Sequence, residues 1–287
     1  MKLGVGYAVM AYVAWGLLPL YWKWFDTLSA GVLLGHRIVW SFAFVVVLLL
    51  AANRGRLASV KPKTRAELLA MIAASALISV NWLIFIYAVK YGHVVEASLG
   101  YYINPLMNVV LAVFFLKERP TPVQWTAIAL AAVGVASLTA TYGKPPWIAL
   151  TLAVSFALYG LVKKKTAAGP AEGLFWETAF ALPAAAVYLA FAGGAAAPLE
   201  SPSGWALLLS GAATTLPLLW FAAAAKRLTL TTIGLIQYLS PTMTLAIGVL
   251  LFREPFTSTH LWSFAFIWVA LALYTAASLR RMKLAAG

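Results

Sequence analysis

Cysteine is absent from this 287-residue chain, which excludes disulfides, thiolate metal sites and cysteine nucleophiles. Acidic side chains are scarce, eight in all, and histidine occurs only three times. His36, His93 and His260 stand far apart, and no two carboxylates share a helix face. Metal-dependent or acid–base catalysis would need such groups clustered, so no enzyme, cofactor or metal is expected. Charged residues make up only 10% of the chain, against about one quarter of an ordinary water-soluble domain. Hydrophobic residues fill the difference at 63%, with a mean hydropathy of +0.89. The formal net charge of +13 would suggest nucleic acid in a soluble protein. Here the basic residues punctuate apolar stretches, so a lipid bilayer is expected as the partner and nucleic acid is not.

What the chain does have is an internal echo. Residues 81 to 118 recur at 217 to 254 with a constant offset and no gap, so that Phe85 answers Phe221, Lys90 answers Lys226, Tyr102 answers Tyr238, Pro105 answers Pro241 and Glu118 answers Glu254. Hydropathy predicts ten spans at about 3–22, 31–52, 67–89, 94–116, 122–141, 146–162, 171–193, 204–225, 231–252 and 258–279. The first of them, preceded by Lys2, lacks a clean small-residue cleavage site and reads as a retained span. Five spans per copy force the second copy to sit upside down relative to the first. Such inverted repeats are a signature of secondary transporters, which bind substrate between the halves. The expected fold class is an all-α membrane protein, ten transmembrane helices as two inverted five-helix repeats around a central cavity, with repeats at 1–145 and 146–287.

The distribution of Lys and Arg tests that map. With the N-terminus in the cytoplasm, sixteen of the 21 fall in cytoplasmic segments, Lys23, Lys90, Lys144 and Arg253 fall outside, and Arg37 lies within a span. The two termini are then both cytoplasmic. Lys90 and its echo Lys226 fall on opposite sides, as inversion requires.

Four features nominate a site. Pro105 and Pro241 lie near the centres of spans four and nine, each after a polar residue, Asn104 or Ser240. A proline frees backbone carbonyls, and matching interruptions in two halves point to a binding site; both are expected to break their helices. On span four, Glu96, Gly100, Asn104 and Asn108 share one face, expected to line a cavity. Span nine presents Thr232, Ser240 and Thr244 with Gln237 beside them. Charges within spans, namely Arg37 beside His36, and Glu177, should face protein. Depth along the spans favours Glu96 over Glu177 as the partner of Arg37, with Asn81 nearby. Trp15, Trp82, Tyr101 and Tyr238 offer rings that could stack on a planar or cationic solute. Glu96, Glu177 and His36 are the candidates for proton coupling.

The segments His36-Arg37-Ile38-Val39-Trp40-Ser41, Asn81-Trp82, Val89-Lys90, Tyr101-Tyr102-Ile103-Asn104-Pro105-Leu106 and the Lys117-Glu118-Arg119-Pro120 turn resemble the drug/metabolite transporter superfamily, in its EamA-type, RarD branch. The resemblance spans essentially the whole chain. It implies a basket of helices around a central cavity, with spans five and ten peripheral, in a bacterial inner membrane. The resemblance does not select a substrate, since relatives export amino acids, other metabolites or drugs. The expected function is a secondary exporter of a small-molecule substrate, a metabolite or drug-like solute of amino acid or amphenicol type, by alternating access. A proton-coupled importer, or a structural or sensory membrane protein without flux, are the alternatives, and a homodimer is an allowed assembly.

Overall fold

The computed structural model describes residues 2–52, 64–117, 120–163, 169–194, 196, 204–225, 227–228, 233 and 236–286. Glu118, Arg119, Glu200, Thr232 and the basic residues Arg54, Arg56, Lys61, Lys63, Lys164, Lys165 and Lys226 lie outside the described residues. The described chain is helical, with no strand: α1 (Lys2–Lys23), α2 (Ala30–Ala52), α3 (Arg65–Lys90), α4 (Val94–Leu116), α5 (Pro122–Tyr142), α6 (Trp147–Lys163), α7 (Pro170–Phe191), α8 (Ser210–Ala225), α9 (Leu239–Ala246) and α10 (Ser258–Ala286). A 3-10 segment, Gly204–Leu209, leads into α8, and a π-helical turn, Ile247–Leu251, extends α9.

Eight of these helical segments are long and apolar enough to cross a membrane, and two are shorter, Trp147–Lys163 and Leu239–Leu251. Continuous apolar runs favour helices here because a lipid-facing backbone must satisfy its own polar groups. Large apolar side chains accordingly point away from the bundle, among them Phe114, Phe191, Leu250 and Trp262. The chain is a multi-pass membrane protein. Helix starts follow local rules: Thr64 caps α3 by accepting from the Glu67 amide at 3.1 Å, and Thr121 with Gln124 forms a capping box ahead of Pro122 on α5.

Three pairs of helices five positions apart in the order pack side by side and antiparallel, α2 with α7, α4 with α9 and α5 with α10. Gly31 of α2 lies against Tyr188 of α7, whereas Phe42, further along α2, meets Phe175 near the start of α7 at 5.5 Å. Val95 of α4 lies against Gly248 after α9, whereas Tyr102 reaches Thr242 through a 2.6 Å hydroxyl–hydroxyl bond. Ser137 of α5 bonds Ser263 of α10 at 2.7 Å, with Gly134 against Phe266. The turns after α4 and α9 match as well: Lys117 and Arg253 both hold the left-handed conformation at φ 54, unusual for non-glycine residues.

One end of the bundle is closed by an apolar cluster. Leu18, Trp22, Leu33, Ile86, Val89, Val94, Ile148 and Leu207 are nearly or fully buried together. They come from the ends of α1 and α3, the starts of α2, α4 and α6, and the 3-10 segment. Further along, Asn104, Pro105 and Met107 of α4 and Gln237 to Ser240 are only half-buried.

Pro105 corrects one expectation. α4 runs unbroken from Val94 to Leu116 with Pro105 inside it, because a proline removes one backbone donor without ending a helix held by its neighbours. Pro241 sits in the first turn of α9, which begins at Leu239, where backbone amides have no intrahelical acceptor to lose.

Glycines set the closest approaches. A Cβ on Gly211 would strike the Trp40 backbone of α2, whereas one on Gly6 would meet nothing within 4 Å. Gly211→Val should therefore destabilise the protein by at least about 2 kcal/mol through overpacking, and Gly6→Ala should be neutral or slightly stabilising. Thermal unfolding of the purified variants measures both.

Candidate functional site

Arg37, about two turns into α2, is almost fully buried. Its Nε donates to Thr214 Oγ1 of α8 at 3.1 Å. Its guanidinium lies 4.1 Å from the Trp82 ring centroid and 5.4 Å from that of Trp22, close enough for cation–π attraction. Asn81, adjacent to Trp82 on α3, donates through Nδ2 to Leu152 O and Ser155 Oγ of α6, both at 3.0 Å. Tyr101 of α4 directs its hydroxyl toward Asn81 Oδ1 at a long 3.4 Å. Residues from α1, α2, α3, α4, α6 and α8 thus meet in one polar patch beneath the apolar closure.

Glu96 is elsewhere. Its Oε1 accepts from the amides of Ile148 and Ala149 at 2.9 and 3.4 Å, so it caps the start of α6 instead of pairing with Arg37. A carboxylate suits a helix N-terminus, where free amides and the positive end of the helix dipole coincide. Gly100, one turn on, packs against the Ala149 backbone. The upper half of the α4 stripe is therefore a seam against α6 and does not face a cavity. Below it, Asn104 Oδ1 is buried without a partner, while Asn108 is exposed.

Glu177 lies apart from this patch, as the depth argument expects. Lys163 Nζ donates to it at 2.7 Å and the Tyr159 hydroxyl approaches both its oxygens at 3.1 Å, so the charge is held between α6 and α7. His36 Nε2 stands 2.8 Å from the Gly194 carbonyl; a carbonyl only accepts, so that nitrogen carries the proton. Trp15 packs on Tyr12 and Phe221. Tyr238 stacks on its echo Tyr102 at 6.3 Å and 17°. Ser240 offers its carbonyl to the surface of Gly16. Gln237 and Ser240 are half-buried. No group of three His, Asp or Glu able to hold a metal is found among the described residues.

A model of the EamA-like transporter family matches residues 2–140 and again residues 145–276. The chain belongs to the EamA-like transporter family. It is 45% identical over 279 residues to the uncharacterized transporter YojE of Bacillus subtilis (strain 168), covering 96% of this chain and 94% of that one. It is 43% identical to protein RarD of Escherichia coli (strain K12), covering 94% of this chain and 93% of the relative. The chloramphenicol-sensitive protein RarD of Pseudomonas aeruginosa is 30% identical, over 94% of this chain and 92% of its own length. A crystal structure at 17% identity superposes with a TM-score of 0.62 over 96% of this chain and 97% of that one; it shares the fold.

Sequence reasoning reached Arg37, Asn81, Trp82 and Tyr101 of this patch and missed Trp22, Thr214 and Ser155. Thr214 and Ser155 look like ordinary small polar residues of apolar helices; only their placement against Arg37 and Asn81 distinguishes them.

The Lys163–Glu177 pair carries an asymmetry. The Glu177 side chain is 4% exposed and that of Lys163 25%. Lys163→Met leaves a buried carboxylate unpaired and should cost about 3 kcal/mol. Glu177→Gln leaves an ammonium that can turn toward water, so its cost should be smaller. Thermal unfolding of the two variants in one detergent compares them directly.

Proposed function

We propose that the protein is a secondary active transporter that exports a small metabolite or drug-like solute by alternating access between two inverted repeats, 1–145 and 146–287. The observation that carries the reading is the antiparallel packing of α2 with α7, α4 with the α9 region and α5 with α10. Helices equivalent in a five-span repeat must run oppositely if the copies are inverted, and each of these pairs does. The two successive matches to the family model support the same division. On this reading α6 and α9 with its π-helical turn complete ten spans, and both termini are cytoplasmic in a bacterial inner membrane.

The closed apolar end is then the outer gate, and the conformer described faces the cytoplasm. Substrate enters from the half-buried region around Asn104, Gln237 and Ser240 and meets the Arg37 patch at its inner limit. Glu96, Glu177 and His36 each already hold a structural partner, which favours exchange against a counter-solute over proton coupling through them. The RarD relative named for chloramphenicol sensitivity makes amphenicols a class to try alongside amino acids.

Everted and right-side-out vesicles from cells producing the protein test direction and topology together. Tags on both termini should be cleaved by added protease only in everted vesicles. Labelled amino acids or chloramphenicol should accumulate in everted vesicles above those lacking the protein. Accumulation only in right-side-out vesicles would favour an importer, and none in either would favour a structural or sensory role.

A further inference from the structure

We propose that the Arg37 patch is a docking site for the single carboxylate of a small solute, an assignment that rests on the transport reading only for what becomes of the solute once bound. An arginine in a span is tolerated when a partner meets its charge, and among the described residues no carboxylate pairs with this one. Among the described residues its sole hydrogen bond uses Nε, toward Thr214, and its Nη1 is buried without an acceptor. Every described carboxylate within the bundle is committed elsewhere: Glu96 to the α6 amides, Glu254 to the α4 amides, Glu172 to the Gly169 amide and Glu177 to Lys163.

A second donor points the same way. Trp22, whose ring lies against the Arg37 guanidinium, is fully buried and its Nε1 also has no acceptor. Ser41, one helical turn beyond Arg37 on α2, and Thr215, next to Thr214, carry further buried hydroxyls without partners. Beside one full positive charge the neighbourhood therefore holds two unmet N–H donors, Arg37 Nη1 and Trp22 Nε1. Unmet buried donors are costly, and an oxyanion is the ligand chemistry that meets them together.

The form of the anion follows from the geometry. Trp82 occupies the face of the guanidinium at 4.1 Å and Thr214 occupies its Nε, so its outer edge remains. That edge presents two parallel N–H groups, the arrangement that binds a planar carboxylate in bidentate fashion. One cation in a dry setting balances one negative charge, which favours a carboxylate over a doubly charged phosphate. Among transported solutes this selects those with a carboxylate and gives an uncharged amphenicol no use for Arg37.

Thermal unfolding of the purified full-length protein tests the site with simple probes. Acetate, benzoate and L-phenylalanine are compared with acetamide, benzamide and L-phenylalaninamide, and with chloride and inorganic phosphate at equal ionic strength. A ligand bound by the folded state alone raises the melting temperature. At least one acid should raise it where its amide does not, and Arg37→Gln should abolish the rise. The unliganded Arg37→Gln protein should melt no lower than wild type, because an unpaired buried charge has been removed. Trp22→Phe keeps an aromatic ring, though a smaller one, and loses the donor, and should weaken the same response in a protein that folds even if Arg37→Gln does not.

Equal rises from acids and amides, a rise that survives Arg37→Gln, a full response to chloride or phosphate alone, or no response to any acid would overturn the site. Vesicle flux separates this from the transport reading. Acid-dependent stabilisation without flux of any solute removes transport and leaves the site; flux of carboxylate solutes unchanged by Arg37→Gln removes the site and leaves transport.

Discussion

A carboxylate placed at the first turn of a neighbouring helix is the interaction on which this bundle depends. Glu254, after α9, takes the amides of Val94 and Val95 at 2.7 and 2.8 Å. Glu96, on α4, takes those at the start of α6. Helix N-termini leave amides unsatisfied, and an apolar surrounding supplies no water to meet them. Each of these two carboxylates fills that need from a different element, so α9, α4 and α6 are tied in sequence. The chain has only eight acidic residues, and among the described ones this use of carboxylates leaves none beside Arg37.

Glycines allow the rest of the packing. Gly100 brings α4 onto α6, Gly134 brings α5 onto α10 and Gly211 brings α8 onto α2. Small residues let backbones approach where lipid gives no hydrophobic drive for helices to associate. The seams draw six chain segments together at the closed end and hold the Arg37 patch just beneath it. At this closed end Lys90, bonded to the carbonyls of Phe25 and Asp26 at 3.2 and 2.9 Å, and Tyr21, bonded to Ala206 O at 2.7 Å, are polar links beside the apolar cluster; on the transport reading proposed above they yield when the end opens.

Much of this was legible in the residues. Hydropathy placed most helices to within a few positions, since long apolar runs admit little else, but α9 begins at Leu239 where 231 was expected and α10 runs to Ala286, past the expected 279. The family emerged from motifs around Arg37, Asn81 and Tyr101, and depth along the helices correctly kept Glu177 away from Arg37. Three things were hidden. The role of Glu96 depends on where α6 begins, a tertiary fact that span depth does not contain. Pro105 shows that a proline at the centre of an apolar helix fixes only a missing donor, while neighbouring helices decide whether the helix breaks. Trp22 and Thr214 escaped notice because nothing in their local sequence separates them from packing residues.

The account holds that the interior is reached from one side at a time. Asn104→Cys in the otherwise cysteine-free chain places a single thiol in the half-buried region below the closure. Trp24 and Trp205, exposed and with rings 6.2 Å apart, can be replaced by cysteines and bridged with a short thiol-cleavable reagent while Asn104 is still native, in a parallel preparation that fixes the closure for flux and protection measurements. The direct measurement is the rate at which a membrane-impermeant maleimide labels Asn104→Cys from each side. The account predicts fast labelling from the cytoplasmic side, slow labelling from the opposite side, and a reciprocal shift between the two when carboxylate solute is added. Equal labelling from both sides at once, unchanged by solute, would contradict it.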